Sequence, residues 1–290
     1  MIRFDDRVAI VTGAGRGLGY AYARALAERG ARVVVNDVAG AQPAVAEIRA
    51  AGGTALANAD SVMTPDGAER IAQAAFDAYG RIDVVINNAG FLRDKSFANM
   101  TVDEIDSVLG VHLHGPMYLT RAAWPIMKRQ GYGRVIMVSS TSGLYGNFGQ
   151  ANYGAAKLGV VGLMNALKEE GTRYGILVNA IAPLAQTPGA GEIFDAASRE
   201  AMRIDWIVAL VAYLSSETCT TAGRLIHAGA GRYTRARIAE SDGITLPLDA
   251  EVDADVIARH YDAIDGPPVK TYDNSTAAVL AKGILPARKP

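Results

Sequence analysis

One stretch constrains this chain more than any other. Val8–Val11 is a β-branched run, followed at once by T-G-A-G-R-G-L-G and then by the Ala-rich Tyr20–Arg29, whose Arg/Glu face ends at Gly30. Strand, glycine turn and helix in that order form the phosphate-binding opening of a dinucleotide fold, where the helix N-terminus offers backbone N–H groups to an anion. The glycines that count are Gly13, Gly17 and Gly19, spaced G-x-x-x-G-x-G, with Leu18 where a G-x-G-x-x-G pattern would put its third glycine.

The alternation continues. Arg32–Asn36 reads as a strand, and Asp37 ends it, eighteen residues past Gly19. A carboxylate there accepts hydrogen bonds from a ribose and repels a 2′-phosphate, which favours NAD over NADP. A plain strand-end turn is the simpler reading of Asp37, and Arg16 inside the glycine turn is a cation that could meet a 2′-phosphate. Pro43–Ala51 and Pro65–Tyr79 read as helices; Thr54–Asn58, Asp83–Ile86, Arg134–Val138, Ile176–Ile181 and Arg224–Ala228 read as strands. This order predicts an α/β, doubly wound parallel sheet of about seven strands flanked by helices, with its ligand at the carboxyl ends of the strands. Asp60, Asn87 and Ser140 each follow a strand, so they are expected to converge there. Residues 102–130 read as one amphipathic segment interrupted near Gly115-Pro116. The Pro/Gly/Ala-rich stretch from Pro183 to Arg203 reads as a loop over the site, and Ile204–Leu214 as a helix.

A second feature lies downstream. Tyr153 and Lys157 are four apart in a segment that reads as a helix to about Tyr174, which puts both side chains on one face. Ser140 stands thirteen residues upstream, just past a strand. A cation near a phenol favours the phenolate, so the pair is expected to lower the tyrosine toward the range of a usable acid or base. With twelve tyrosines and seven lysines, chance supplies roughly 0.3 such pairs, so the pair gains weight from the glycine turn rather than alone.

A net charge of −1 argues against nucleic acid or an anionic membrane as partner. Cys219 is the single cysteine, which suits a reducing compartment. His112, His114, His227, His260 and Cys219 make no metal-ligand spacing, so no metal is expected. The N-terminus lacks a signal-peptide core, the C-terminal tripeptide is not of the peroxisomal kind, and no apolar run approaches ~18 residues, so a cytoplasmic setting is expected. Residues 240–290, acidic at Asp242, Asp249, Glu251, Asp253 and Asp255 with one clear helix at Ala254–Ala263, read as an extension of a single catalytic domain, residues 1–239.

Taken together, T-G-A-G-R-G-L-G, N-N-A-G, the Ser–Tyr–Lys set and N-A-I-A-P (Asn179–Pro183) resemble the short-chain dehydrogenase/reductases, from residue 7 to about 231. V-V-N-D, N-N-A-G-F-L-R-D-K-S-F, V-H-L-H-G, T-R-A-A-W-P and Y-G-N-F-G-Q-A-N-Y are similar to the (3R)-hydroxyacyl-CoA dehydrogenase branch found in peroxisomal multifunctional enzymes type 2. The resemblance implies a Rossmann-fold homodimer or homotetramer oxidising a secondary alcohol with NAD, with an acyl-CoA or, alternatively, a 17β-hydroxysteroid as substrate. It implies Tyr153 as acid/base, Lys157 beside it and on the nicotinamide ribose, and Ser140 on the substrate oxygen. Gly13, Arg16, Gly17, Leu18 and Gly19 would surround the pyrophosphate. Asp37 would meet the adenosine ribose, Asp60 and Val62 the adenine, and Asn87, Ala89, Gly90 and Pro183 the rest of the cofactor. Two positions depart from the family pattern. His112 stands where an Asn is common in the middle of the long helix, as a relay residue or a packed one. Pro183-Leu184 replaces the usual Pro-Gly. Arg93 and Lys95 could meet CoA phosphates or simply face solvent.

Overall fold

The computed structural model describes residues 1–185 and 202–282. Strands form along mostly apolar segments: β1 (Val8–Thr12), β2 (Arg32–Asn36), β3 (Thr54–Asn58), β4 (Val84–Asn87), β5 (Gly133–Val138), β6 (Ile176–Pro183) and β7 (Leu225–Gly229). β1, β4 and β5 are buried along their whole length, as the inner strands of a parallel sheet covered on both faces must be. These seven pair in parallel in the order β3-β2-β1-β4-β5-β6-β7. An eighth strand, β8 (Arg232–Ala236), adds to the edge. Its residues R-Y-T-R-A are exposed and carry no apolar alternation, so the sequence reading of about seven strands missed it.

The helices are α1 (Gly17–Glu28), α2 (Ala41–Ala50), α3 (Pro65–Tyr79), α4 (Val102–Leu109), α5 (Gly115–Gln130), α6 (Thr141–Tyr145), α7 (Ala151–Gly171) and α8 (Asp205–Ser215). Tyr22 and Leu26 of α1, Val45 and Ile48 of α2, and Ile207 and Val211 of α8 pack with Val11, Val33, Val35, Ile86 and Ile136 into one core. α3, α5 and α7 pack on the strands from the other side, the two-layered cover that a doubly wound sheet requires. The order reverses at β1, whose neighbours are β2 and β4, and that reversal opens a crevice at the carboxyl ends of β1 and β4.

The expected interruption of the 102–130 segment lies one turn earlier than Gly115-Pro116. Residues Gly110–His114 form a π-helical turn, in which Gly115 N–H reaches back to Gly110 O. Pro116 opens α5, where its missing N–H is harmless to α5 itself.

The chain divides into two compact units, Met1–Arg235 and Ala236–Pro290. In the second, Glu240 and Lys270 form an antiparallel bridge. Asp253 caps α9 (Ala254–Ile264) through Val256 N–H at 2.8 Å, and α10 (Ser275–Ala281) follows, a helix the sequence reading did not anticipate.

Candidate active site

The glycine turn is built by contact and by backbone conformation. Gly13 has φ +60°, and a Cβ there would lie 2.7 Å from Ala89 Cα; a Cβ on Gly19 would overlap Gly13 O. Gly17 has φ +59° and open space where its Cβ would be. Arg16 caps α1 without a side-chain hydrogen bond, and the first turn holds no acidic residue. The leading N–H groups of α1 are therefore left for an outside acceptor, which fits a pyrophosphate. Leu18 turns its side chain into the core and offers the turn only its backbone.

Asp37, half-buried just beyond β2, accepts N–H groups from Gly15 (3.1 Å), Ala39 (3.0 Å) and Gly40 (3.0 Å). These bonds fix its carboxylate next to the glycine turn. Asp60 pairs with Arg70 at 2.6 Å and accepts from Asn58 at 2.9 Å; the Arg70 guanidinium holds its carboxyl below the usual range. Val62, Asn87 and Ala89 line one crevice with Thr12, Val111 and Gly115. Asn87 Nδ2 donates to Thr120 Oγ1 at 3.1 Å. Two residues that sequence reasoning passed over hold this edge together. Thr12 Oγ1 accepts from the N–H groups of both Asn88 and Ala89 at 3.0 Å, and Asn88 Nδ2 donates to the carbonyls of Thr12 and Gly13. A Thr directly before the glycine turn and a second Asn in N-N-A-G were the available signals. Pro183 closes β6 opposite Ala228.

Ser140 ends the β5 connection and caps α6, its hydroxyl accepting from Ser142 N–H at 3.1 Å. It also lies beside the Tyr153 phenol, where it favours the phenolate. α6 and α7 touch closely enough that a Cβ on Gly143 would lie 2.7 Å from Lys157 Cβ. Lys157 is buried; its Nζ donates to Val138 O at 2.6 Å and lies 5.5 Å from the centre of the Tyr153 ring. Ser139, unread in the sequence, donates to Lys157 O at 2.7 Å and pins that turn of α7 to β5. Ser140, Tyr153 and Lys157 thus meet at one strand end.

The electrostatics differ from expectation. Burial pushes the Tyr153 phenol up, against the Ser140 hydroxyl, which lowers it, with Asp94 raising it further. Lys157 does not offset that desolvation: its own burial pulls it down to about 7, so that its charge is only partial near neutrality.

His112 sits in the π turn with its ring edge-on to Tyr153, centroids 5.0 Å apart. Its Nε2 lies 2.7 Å from Phe91 O and 3.1 Å from Phe91 N, while Nδ1 is buried without a partner. Burial holds the imidazole down at about 3, so it is neutral at ordinary pH. Gly90 lies directly against the ring. Pro116 has no N–H to give to the carbonyl four residues earlier, which is that of His112.

Lys95 pairs with Glu104 at 2.8 Å, and the exposed Arg93 lies over the Phe91 ring at 5.3 Å. The Pro183–Arg203 loop falls mostly on residues 186–201, outside the described residues. Among the described residues, no cluster of three or more His, Cys, Asp or Glu could hold a metal. No helix among them is long and apolar enough to cross a membrane.

Residues 7–197 match the family described as short chain dehydrogenase. The chain is 45% identical over 272 residues to a short-chain type dehydrogenase/reductase of Mycobacterium tuberculosis, covering 90% of this chain and 95% of that one. It is 41% identical over 233 residues to the hydroxyacyl-CoA dehydrogenase ChsB1 of the same organism, covering 73% of each. The solved structure of full-length peroxisomal multifunctional enzyme type 2 from Drosophila melanogaster superposes with a TM-score of 0.82 at 38% identity, over 98% of this chain. The chain spans 49% of that protein, about half its length.

Proposed function

The chain belongs to the short-chain dehydrogenase family, and from that premise we propose that it oxidises the secondary alcohol of a (3R)-3-hydroxyacyl-CoA with NAD. The observation that carries the reading is the meeting of Ser140, Tyr153 and Lys157 at the end of β5, beside a glycine turn whose helix N-terminus is free. When bound, NAD supplies the acceptor for the hydride that leaves the carbinol carbon, so alcohol and NAD+ become ketone, NADH and a proton.

The chain's residues do the rest. Ser140 holds the substrate oxygen and opposes the charge that develops on it. Tyr153 takes the hydroxyl proton as general base and returns it in the reverse direction. Lys157 gains charge as its surroundings become more anionic and then favours the phenolate. The His112 carbonyl, without an α-helical donor because of Pro116, holds a relay water beside Lys157. Gly13, Arg16, Gly17 and Gly19 receive the pyrophosphate. Asp37 meets the adenosine ribose and disfavours a 2′-phosphate, Asp60 and Val62 border the adenine, and Asn87, Ala89, Gly90 and Pro183 border the nicotinamide half. The acyl-CoA preference draws on the hydroxyacyl-CoA dehydrogenase relative and on the L-R-D-K-S-F and Y-G-N-F-G-Q motifs. A cytoplasmic homo-oligomer pairing through α4, α5 and α7 completes the reading.

The test is NAD reduction with (3R)-3-hydroxyacyl-CoA thioesters against 17β-hydroxysteroids. Turnover confined to steroids overturns the substrate assignment and leaves the chemistry standing. Tyr153→Phe should lower kcat by at least about 10²-fold with NAD affinity nearly unchanged, since a positioned acid/base contributes roughly 10²–10⁴-fold. Asp37→Ala should bring the kcat/KM values for NAD and NADP toward each other; a wild type that already prefers NADP sinks the role given to Asp37.

A further inference from the structure

α7 opens on Ala151-Asn152-Tyr153, and the amide of Asn152 has nothing to spare. The residue is 3% exposed. Its Oδ1 accepts from the N–H of Tyr153 at 2.7 Å, one of the donors that the first turn of a helix leaves without an internal partner. Its Nδ2 donates twice, to Arg93 O at 3.2 Å and to Glu104 O at 2.9 Å. Three elements therefore meet at one buried side chain: the start of α7, the loop that follows N-N-A-G, and α4. A second set of bonds runs around the first. Lys95 N–H donates to Gly149 O at 2.9 Å, Lys95 Nζ pairs with Glu104 Oε1 at 2.8 Å, and Gln150 Nε2 donates to Asp94 Oδ2 at 2.8 Å. Satisfying a first-turn N–H needs only an acceptor, which an Asp would supply as well, with a charge that a helix N-terminus favours. Two N–H donors aimed at carbonyls of other elements are what an Asn adds.

We propose that Asn152 is a positioning residue for Tyr153, whose backbone its amide holds in register with the 91–95 loop and with α4. The inference rests on Tyr153 being the acid/base. The other two members of the set are fixed without Asn152. Ser140 is held at the end of the β5 connection and accepts from Ser142 N–H, while Lys157 bonds Val138 O and its turn of α7 is pinned by Ser139. Tyr153 instead lies in the first turn of α7, where helices fray. The bonds from Asn152 to Arg93 O and Glu104 O tie that end to two other elements. Without them the phenol is free to shift against Ser140 and Lys157, and a misplacement of ~1 Å costs as much as ~10²-fold in rate. The glycine turn and Asp37 stand on other elements, so such a shift leaves them in place.

Asn152→Asp is the discriminating variant. It keeps the shape and the acceptor for Tyr153 N–H, and turns the donor toward Arg93 O and Glu104 O into an acceptor. A residue that only satisfies the first turn of α7 would tolerate it. A positioning residue would not: kcat for alcohol oxidation, counted per NADH-binding site by fluorescence titration, should fall by about 10- to 100-fold while the Kd for NADH is unchanged. Asn152→Ala removes all three bonds without burying a charge and should show the same split, so the test stands even where the Asp variant folds poorly. The alcohol is a (3R)-3-hydroxyacyl-CoA or, where the steroid assay is the positive one, the 17β-hydroxysteroid. Amide exchange gives a readout without turnover: segments 91–96 and 151–155 should exchange faster in both variants, and β1 and β5 should not. Wild-type kcat per site in either variant overturns the proposal. So does a loss that falls equally on kcat and NADH affinity, the mark of a merely structural role. An active Tyr153→Phe removes the premise and the proposal with it, whereas an inactive Tyr153→Phe beside fully active Asn152 variants removes the proposal alone.

Discussion

Gly90 has an ordinary backbone conformation, so its identity answers to space: a Cβ there would overlap Cε1 of His112. Gly90→Ala should push the imidazole off Phe91 and away from the Tyr153 ring. The expected destabilisation is about 1–3 kcal/mol, the usual range for forced overpacking, together with a loss in kcat. Adding His112→Ala should recover most of the melting temperature and none of the activity, a coupling that a double-mutant cycle measures. Lys157 makes a second residue-scale statement. Its folded value is about 7, below that of an exposed lysine, so the unfolded chain binds more protons between about 7 and 10. Stability should therefore rise with pH through that window by way of this group, and fall away as pH drops through 7. Replacing Lys157 with Met should flatten the rise between pH 7 and 9, below the range where the tyrosines titrate; thermal melts at fixed ionic strength check it.

At the scale of elements, the π turn Gly110–His114 is where periodicity misled and chemistry did not. The apolar pattern of 102–130 is continuous enough to read as one helix, and Gly115-Pro116 drew the expected break to the proline itself. Proline acts on the residue four before it, which moves the disturbance to His112. Pro116→Ala restores an N–H for the His112 carbonyl and should regularise the turn. The expected outcome is a kcat lowered by about tenfold through loss of the relay, with a melting temperature unchanged or raised. Other elements were legible for plain reasons. β2, β3 and α3 have the bounds read from sequence; the valine run of β2 and the Thr64-Pro65 start of α3, closed by Gly80, leave little choice. Asn88, Thr12, Ser139 and Gln150 stayed hidden because their work is to bond backbone or loop across large separations, and single polar residues carry no period.

On the scale of the whole molecule, the two ends of the sheet have opposite characters. The carboxyl ends carry free helix N–H groups and the Ser–Tyr–Lys set. At the amino ends, a cavity of about 400 Å³ is bordered by Arg3, Arg7, Arg81, Tyr132 and Glu217, and its charges are paired. Beneath it the fully buried Asp83 accepts from Arg7, Arg81 and Val8 N–H. Asp83→Ala leaves Arg7 with Glu217 alone, takes the carboxylate from Arg81 and orphans the buried Val8 N–H, and should cost about 1–3 kcal/mol, with kinetic constants per folded molecule unchanged. Chemical denaturation beside active-site titration separates the two effects. The parallel sheet was legible because alternation has few other solutions, whereas its eighth strand and the second helix of the 236–290 unit lack a buried face to announce them.

The strand reversal that opens the crevice also bears on how fast this chain can fold. Across the parallel pairs, partners are 22 to 50 apart in sequence, except at β1 and β4, where Ala9 meets Val84 from 75 residues away. Loop-closure entropy makes that the most expensive encounter among the parallel pairs, though only logarithmically. Folding speed is more sensitive to such long-range pairings than stability is. The floor of the cofactor crevice is thus the seam the nascent chain waits longest to close, and a binding cleft of this topology comes with a kinetic delay that no side-chain substitution within it can remove.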